Sequence, residues 1–233
     1  MIELVGFDAD DTLWRSEDYY QRAGTEFEQI VGAYIDVGDA SLRSRLHAVE
    51  KCNLASFGYG AKGMTLSMIE AAIELTDAAI SARDVHRIVA LGKSLLDHPV
   101  ELLPGIREAV ESVAARHRIV LITKGDLFHQ ERKVAKSGLG DLFSRIEIVS
   151  EKNVGSYERV IAECGVSATS FAMIGNSLRS DIEPVIGLGG WGIHMPYHVT
   201  WEHEMHHAVE NGHPRVITIA TAEEISSALA RCS

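Results

Sequence analysis

The sequence predicts an α/β protein with a Rossmann-like parallel sheet core and a discontinuous α-helical cap domain. Short apolar runs alternate with helical patterns from about residue 104 onward, which indicates strands and helices in regular succession. Such alternation favours a parallel sheet, because each connection is long enough to hold a helix. Residues 16–98 show helical patterns only. The length of 233 residues suits a core domain with a smaller attachment.

Each strand is predicted where a short, mostly apolar run ends in polar or turn-forming residues, as buried parallel strands do. The runs lie at 2–7, 118–123, 146–150, 171–175 and 215–220, with a weaker candidate at 190–195. The helical patterns between them lie at 106–116, 127–137, 157–164, 178–186 and 222–230.

The helical block at 16–98 is predicted to be the cap, and residues 1–15 and 99–233 the core. Its helical patterns lie near 17–35, 40–56, 65–76 and 82–97. Glycine-containing breaks at Gly38 and 57–63 separate the earlier helices, because glycine tolerates the backbone conformations of turns. His98-Pro99 and Pro104-Gly105 mark the return to the core.

Charge and cysteine content limit the class of protein. A formal charge of −11 argues against a nucleic-acid partner, because polyanion binding depends on Lys and Arg. The three cysteines are far apart and odd in number, which fits reduced cytosolic thiols. The first residues do not form a signal peptide, and no stretch approaches the roughly 20 apolar residues of a membrane-spanning helix. We therefore expect a soluble, cytoplasmic protein, with its oligomeric state left open.

Polar side chains follow four of the predicted strands, at the point where each strand ends. Ligands of open parallel sheets bind beyond the carboxyl ends of the strands, so these side chains are candidates for one site. They are Asp8, Asp10, Asp11, Thr12, Thr123, Lys124, Asp126, Glu151, Lys152, Asn176, Ser177 and Asp181. The order and shared edge of this set point to catalysis more strongly than any single member does.

These residues resemble the four motifs of the haloacid dehalogenase superfamily of phosphohydrolases. The matching segments are DADDT at 8–12, the strand ending in Thr123, Lys152, and GNSLRSD at 175–181. The stretches at 102–110 and 136–152 are similar to the segments that link the motifs. The resemblance covers 1–15 and about 99–195, and the helical block resembles the common cap of this family.

The resemblance implies a phosphatase of small phosphate monoesters, acting through an aspartyl-phosphate intermediate. Asp8 would be the nucleophile, and Asp10 would donate and accept protons. Thr123 and backbone N–H groups near Lys124 would hold the phosphoryl oxygens. Lys152 would offset the negative charge.

The resemblance also implies a Mg²⁺ cofactor, held by the Asp8 carboxylate, the Asp10 carbonyl group and Asp181. Asn176 stands where many members of the family have Asp, so it supplies a neutral oxygen, directly or through water. Asp11 stands where Gly is most frequent. Since Asp tolerates positive φ better than most residues, we expect the turn to be kept.

The family's cap supplies substrate specificity, and the substrate itself is expected to be a small phosphorylated metabolite. Arg15 follows the first motif, while Tyr59 and Lys62 lie in the predicted glycine-rich break. We treat these three as candidate substrate contacts, with surface positions as the alternative.

Other functions remain as alternatives. A haloacid dehalogenase or a phosphomutase would share the core, although dehalogenation needs neither Asp10 nor Asp181. The HEMHH segment at 203–207 matches the HExxH zinc-peptidase pattern, in which His203 and His207 bind zinc and Glu204 is the base. We expect these three residues not to be catalytic. A phosphoacceptor signalling domain would need an acceptor Asp near 51–54, where the sequence reads KCNL.

Overall fold

The computed structural model describes residues 1–35, 39–201 and 204–232. The chain forms two compact units: one comprises Met1–Glu17 with Val100–Ser233, and the other comprises Asp18–Pro99. The predicted break at Gly38 lies outside the described residues.

A sheet of six parallel strands forms the centre of the first unit and confirms the predicted fold class. The strands are β1 (Leu4–Phe7), β2 (Arg118–Lys124), β3 (Arg145–Val149), β4 (Phe171–Gly175), β5 (Trp191–His194) and β6 (Val216–Thr218). Their order in the sheet is β3-β2-β1-β4-β5-β6. The weaker candidate at 190–195 is therefore a strand, and β1 lies between β2 and β4.

Both faces of the sheet are buried, which explains why the strands read as nearly continuous apolar runs. Val5 and Phe7 belong to the hydrophobic core on one face, whereas Leu4 packs into a second core with residues of β2 and β4. This alternation follows the two-residue repeat of a strand. At Gly6 a Cβ atom would come within 2.7 Å of the Phe171 ring, so this position has no room for a side chain.

Helices connect the strands and cover the sheet. They are α5 (Ile106–Ala114), α6 (Leu127–Ser137), α7 (Val154–Glu163), α8 (Glu183–Gly187) and α9 (Ile225–Leu229). The predicted helix at 178–186 begins as a π-helical turn over Leu178–Ile182 and continues as α8, with Pro184 in the first turn of α8. π-Helical turns are frequent at functional sites, and this one carries Asp181.

In the second unit, the described residues form four helices that share their own hydrophobic core. They are α1 (Glu17–Gly32, whose first residue belongs to the first unit), α2 (Asp39–Phe57), α3 (Ala61–Leu75) and α4 (Ala82–Asp97). Lys62 was expected in the glycine-rich break but lies in the first turn of α3, which corrects that prediction. Gly58 and Gly60 have positive φ and form the turn. Gly63 lies within α3, where a Cβ atom would come within 2.5 Å of the Gly58 carbonyl oxygen, so this position has no room for a side chain. Within the described residues, no helix is both long and apolar enough to cross a membrane.

Candidate active site

The candidate nucleophile Asp8 lies at the carboxyl end of the central strand β1. Its backbone N–H donates to the Ile174 carbonyl group at 2.9 Å, which extends the pairing of β1 with β4 by one residue. The Asp8 side chain is buried. One carboxylate oxygen accepts a hydrogen bond from Lys152 Nζ, and the other lies 3.0 Å from Thr12 Oγ1. β1 therefore fixes the backbone of Asp8, and two neighbours fix its carboxylate.

Lys152 joins two carboxylates that are far apart in the sequence. Its ammonium group donates to Asp8 Oδ1 and to Asp181 Oδ1, the latter at 2.7 Å. All three side chains are buried. Since one positive charge faces two negative charges, this group carries an excess of negative charge away from bulk water.

The pKa values reflect that imbalance. Burial raises the pKa of Asp8 to about 7, and the neighbouring Asp181 charge adds to this rise although Lys152 opposes it. The carboxylates of Asp181 and Asp8 raise the pKa of Lys152 despite its burial, so the lysine is charged. An additional cation near Asp8 and Asp181 would relieve the repulsion between the two acids.

Asp10 is held by three side chains. Lys133 Nζ contacts both of its carboxylate oxygens, at 2.6 and 2.7 Å. Trp14 Nε1 donates at 2.6 Å and Gln130 Nε2 at 3.0 Å. Burial alone would raise the pKa of Asp10, but Lys133 and these hydrogen bonds lower it below its usual value. Asp10 is therefore an anion in this arrangement.

The turn after β1 is kept with Asp11 in the place where glycine is most frequent, as the sequence predicted. Asp11 has a φ of 60°, which confirms that it adopts the left-handed conformation expected of a glycine. Its carboxylate accepts from the backbone N–H of Ser16 at 2.8 Å and of Glu17 at 3.1 Å, at the start of α1. Burial and the Asp10 charge raise the pKa of Asp11 to about 7, although these two N–H groups oppose the rise.

The end of β2 provides the candidate phosphate-binding residues. Thr123 is 1% exposed, and its Oγ1 accepts from Gln130 Nε2 at 2.8 Å. The Lys124 ammonium group donates to Ser180 Oγ at 3.0 Å and also to Glu204 Oε1. Its distance to Glu151 Oε1 is 3.6 Å. The charge of Lys124 is thus balanced within the site.

Asn176 follows β4 and contacts the turn after β1. Its backbone N–H donates to Thr12 Oγ1 at 3.1 Å, and its side-chain oxygen lies 3.2 Å from the same hydroxyl group. Asp181 accepts from the backbone N–H of Ser177 at 3.0 Å. Thr12 and Lys152 thus bring Asp8, Asn176 and Asp181 together at one edge of the sheet.

The side-chain oxygens of Asp8, Asp181 and Asn176 are ligands of the kind that Mg²⁺ prefers. Among the described residues, no group of three or more His, Cys, Asp and Glu side chains is arranged to hold a metal ion. Mg²⁺ needs fewer protein ligands, since it commonly binds through one or two carboxylates together with water and substrate phosphate. The excess negative charge of Asp8 and Asp181 matches that requirement, and Asn176 adds a neutral oxygen nearby.

The three candidate substrate contacts are in different parts of the chain. Arg15 belongs to the first unit, and its Nε is 3.8 Å from Glu101 Oε2 with both side chains exposed. Tyr59 and Lys62 belong to the helical unit; Tyr59 is partly buried and Lys62 is exposed. Their role in substrate binding stays a prediction.

The described residues of the segment that matches HExxH do not form the helix that the zinc-peptidase alternative would require. His203 lies outside the described residues, and residues 204–213 contain no α-helix. The helical spacing that would place His203 and His207 on one face is therefore missing from the described part. The Glu204 carboxylate binds Lys124, Ser177 and Ser180 instead.

Among the described residues, sequence reasoning missed several that contact the candidate catalytic acids or their neighbours: Trp14, Gln130, Lys133, Ser180 and Glu204. Gln130 and Lys133 come from α6, and both side chains are buried. They are three positions apart, so they share one face of the helix. A lysine on the same helix face as apolar residues was the sequence signal that could have pointed to a buried charge. Glu204 comes from the connection between β5 and β6 and carried no signal for this site.

The fold and this set of acidic and basic groups define a hydrolase of the haloacid dehalogenase type. The haloacid dehalogenase-like hydrolase family model matches residues 2–189, so the chain belongs to this family and is an enzyme. A search of curated proteins finds no match to the chain.

Solved structures agree with this assignment. The chain is 54% identical to a haloacid dehalogenase-like family hydrolase from Xanthomonas campestris, with a TM-score of 0.90 over 99% of this chain and 96% of that one. It shares its fold with 2-haloacid dehalogenase from Pseudomonas syringae pv. Tomato DC3000, at 19% identity and a TM-score of 0.67 over all of both chains. It also resembles YfnB from Bacillus subtilis, described as bound to magnesium, at 17% identity and a TM-score of 0.65 over 98% of both chains.

Proposed function

We propose that this hydrolase is a Mg²⁺-dependent phosphatase that cleaves small phosphate monoesters through an aspartyl-phosphate on Asp8. The main support is the arrangement of three carboxylates at one sheet edge: Asp8 and Asp181 share Lys152, and Asp10 is held separately by Lys133. Carbon–halogen hydrolysis needs the nucleophile but not the two further acids. Phosphoryl transfer uses one further acid for proton transfer and the other for a cation.

In the first step, a carboxylate oxygen of Asp8 attacks phosphorus, and the bond from phosphorus to the ester oxygen breaks. The leaving oxygen takes a proton from Asp10, so the products are the alcohol and the aspartyl-phosphate. In the second step, water attacks phosphorus, gives a proton to Asp10, and releases inorganic phosphate from Asp8. This is general acid–base catalysis by one carboxyl group in both directions.

The contacts of Asp10 decide which half of this cycle the described arrangement favours. Because Lys133, Gln130 and Trp14 hold it as an anion, Asp10 is ready to accept a proton from water. To donate a proton to the leaving oxygen, its carboxyl group must be protonated and must exchange at least one of these hydrogen bonds.

The residues that would hold the cation are Asp8, Asp181 and Asn176, together with the Asp10 carbonyl group. When bound there, Mg²⁺ would stabilise negative charge on the phosphoryl oxygens. Lys152 would keep Asp8 ionised and in place, and Thr123 with the backbone near Lys124 would orient the phosphoryl group.

We place the reaction in the cytoplasm. Cys52, Cys164 and Cys232 are all free thiols, which is the state that a reducing compartment maintains.

The test is a screen of the purified protein with Mg²⁺ against a panel of phosphate monoesters, with 2-haloacids assayed in parallel for halide release. We expect release of inorganic phosphate that EDTA abolishes, and acid-stable ³²P on the wild-type protein but not on Asp8→Asn. Halide release without phosphatase activity would refute the proposal and support a dehalogenase.

A further inference from the structure

Glu204 is a buried acid at the candidate active site that no family motif includes. Its side chain is 9% exposed. One carboxylate oxygen accepts from the Lys124 ammonium group. The other accepts from Ser177 Oγ and from Ser180 Oγ, the latter at 2.6 Å. Glu204 thus contacts the residue after Thr123 and the segment that carries Asn176 and Asp181.

The strand order shows that these contacts link the ends of two strands that are not neighbours. Lys124 ends β2, and Ser177 follows β4, whereas β1 with Asp8 runs between those two strands. Neighbouring strands are about 4.8 Å apart, so the ends of β2 and β4 are separated by roughly 10 Å. Glu204 and Lys124 together bridge this distance on a path beside the end of β1.

Ser177 transmits this contact to Asp181. The Ser177 backbone N–H donates to Asp181 Oδ2 at 3.0 Å, and its carbonyl oxygen accepts from the Asp181 N–H at 2.9 Å. Ser177 Oγ accepts from the Ser180 N–H at 3.0 Å while donating to Glu204. The conformation of the turn from Asn176 to Asp181 therefore depends on an acceptor for the Ser177 hydroxyl group.

The protonation state of Glu204 agrees with this role. Burial would raise the pKa of Glu204, but Lys124 and the hydroxyl groups of Ser177 and Ser180 lower it to about 2. A carboxylate can accept from all three donors, whereas an amide has a single acceptor oxygen.

We propose that Glu204 is a positioning residue of the active site, which fixes the turn from Asn176 to Asp181 against the end of β2. The segment between β5 and β6 thereby becomes part of the site. This inference rests on the proposed function, because it concerns the turn that would hold Mg²⁺. Loss of hydrogen-bonding partners that orient metal ligands typically lowers metal affinity about 10–100-fold.

The experiment measures Mg²⁺ binding to the metal-free protein by isothermal titration calorimetry, with no substrate present. We expect Glu204→Gln and Ser177→Ala each to weaken Mg²⁺ binding about tenfold. Glu210→Gln, an exposed glutamate of the same segment, is the matched control and should bind as the wild type does. Ser177→Ala changes no charge and provides a second route to the answer if Glu204→Gln fails to fold.

A double variant separates positioning from charge. Glu204→Gln removes one of the two carboxylates beside the Lys124 ammonium group, and the added net positive charge alone would repel a cation. If the double variant Lys124→Met/Glu204→Gln still binds Mg²⁺ more weakly than the wild type, positioning by Glu204 is supported. If the double variant binds Mg²⁺ as tightly as the wild type and Ser177→Ala does so too, the inference is overturned. Equal affinities for Glu204→Gln and Glu210→Gln overturn it too and leave the proposed phosphatase function intact. A wild-type protein that binds no Mg²⁺ and whose phosphatase activity does not depend on Mg²⁺ overturns the proposed function itself.

Discussion

Replacing Lys133 by Met should destabilise the protein, because it leaves the Asp10 carboxylate without its ionic partner. The Lys133 side chain is 4% exposed and that of Asp10 is 29% exposed. Methionine keeps most of the length and the apolar part of the side chain, so the substitution removes the charge and the two hydrogen bonds with little change in volume.

The expected loss follows from this burial. Removing one partner of a buried ion pair costs about 3–5 kcal/mol of unfolding free energy. Asp10 keeps Trp14 and Gln130 as donors and retains some contact with water, so the lower end of that range, about 3 kcal/mol, applies here. For a chain of this size, such a loss lowers the melting temperature by roughly 6–12 °C.

The assay is thermal and urea unfolding of the metal-free protein, with Lys136→Met as control. Lys136 is an exposed lysine one turn further along α6, and its substitution should change the unfolding free energy by less than about 0.5 kcal/mol. The double variant Asp10→Asn/Lys133→Met removes the unpaired anion and should recover about 1–2 kcal/mol.

Two results would refute this reasoning. Lys133→Met could be as stable as Lys136→Met, which would mean that the ion pair contributes nothing. Alternatively, the double variant could be no more stable than Lys133→Met, which would place the cost outside the Asp10 carboxylate.

Three further predictions concern catalysis, pH and zinc. Asp8→Asn should form no phosphoenzyme. Asp10→Asn should turn over substrates with poor leaving groups about 10²–10⁴-fold more slowly, yet accumulate aspartyl-phosphate with p-nitrophenyl phosphate. A rapid-quench assay measures the trapped phosphate, and its absence from Asp10→Asn contradicts these roles. Burial raises the pKa of Glu50 to about 7 in the folded state. The folded state therefore binds more protons than the unfolded state between pH 4.5 and 7, and the unfolding free energy falls as pH rises through that range. Because the Glu50 side chain is only partly buried, Glu50→Gln should raise the unfolding free energy by on the order of 1 kcal/mol at pH 8 and by less at pH 5, as measured by urea unfolding. The control Glu26→Gln, at an exposed site, should leave the unfolding free energy unchanged at both pH values. His207→Ala should leave Mg²⁺-supported phosphatase turnover unchanged after zinc removal; activity that returns only with zinc would show the opposite.

The sequence by itself determined the sheet and most of the candidate active site at its edge. The six strands of the sheet coincide closely with apolar runs that end in polar residues. The reason is that strands buried on both faces need apolar side chains, whereas the residues at their ends can be polar. Since the carboxyl ends of parallel strands meet at one edge, Asp8, Thr123, Lys152 and Asp181 were expected together. The structure joins Lys152 to both Asp8 and Asp181.

The tertiary structure alone decided which partners these residues have. Asp10 is bound by Lys133 and Gln130, more than a hundred positions away, and Lys124 by Glu204 from a segment that resembles a zinc motif. Local patterns record propensity and burial, but a hydrogen bond depends on where packing places two side chains. The order of the strands brings the ends of β2 and β4 to either side of β1, and only that arrangement gives Glu204 its three donors.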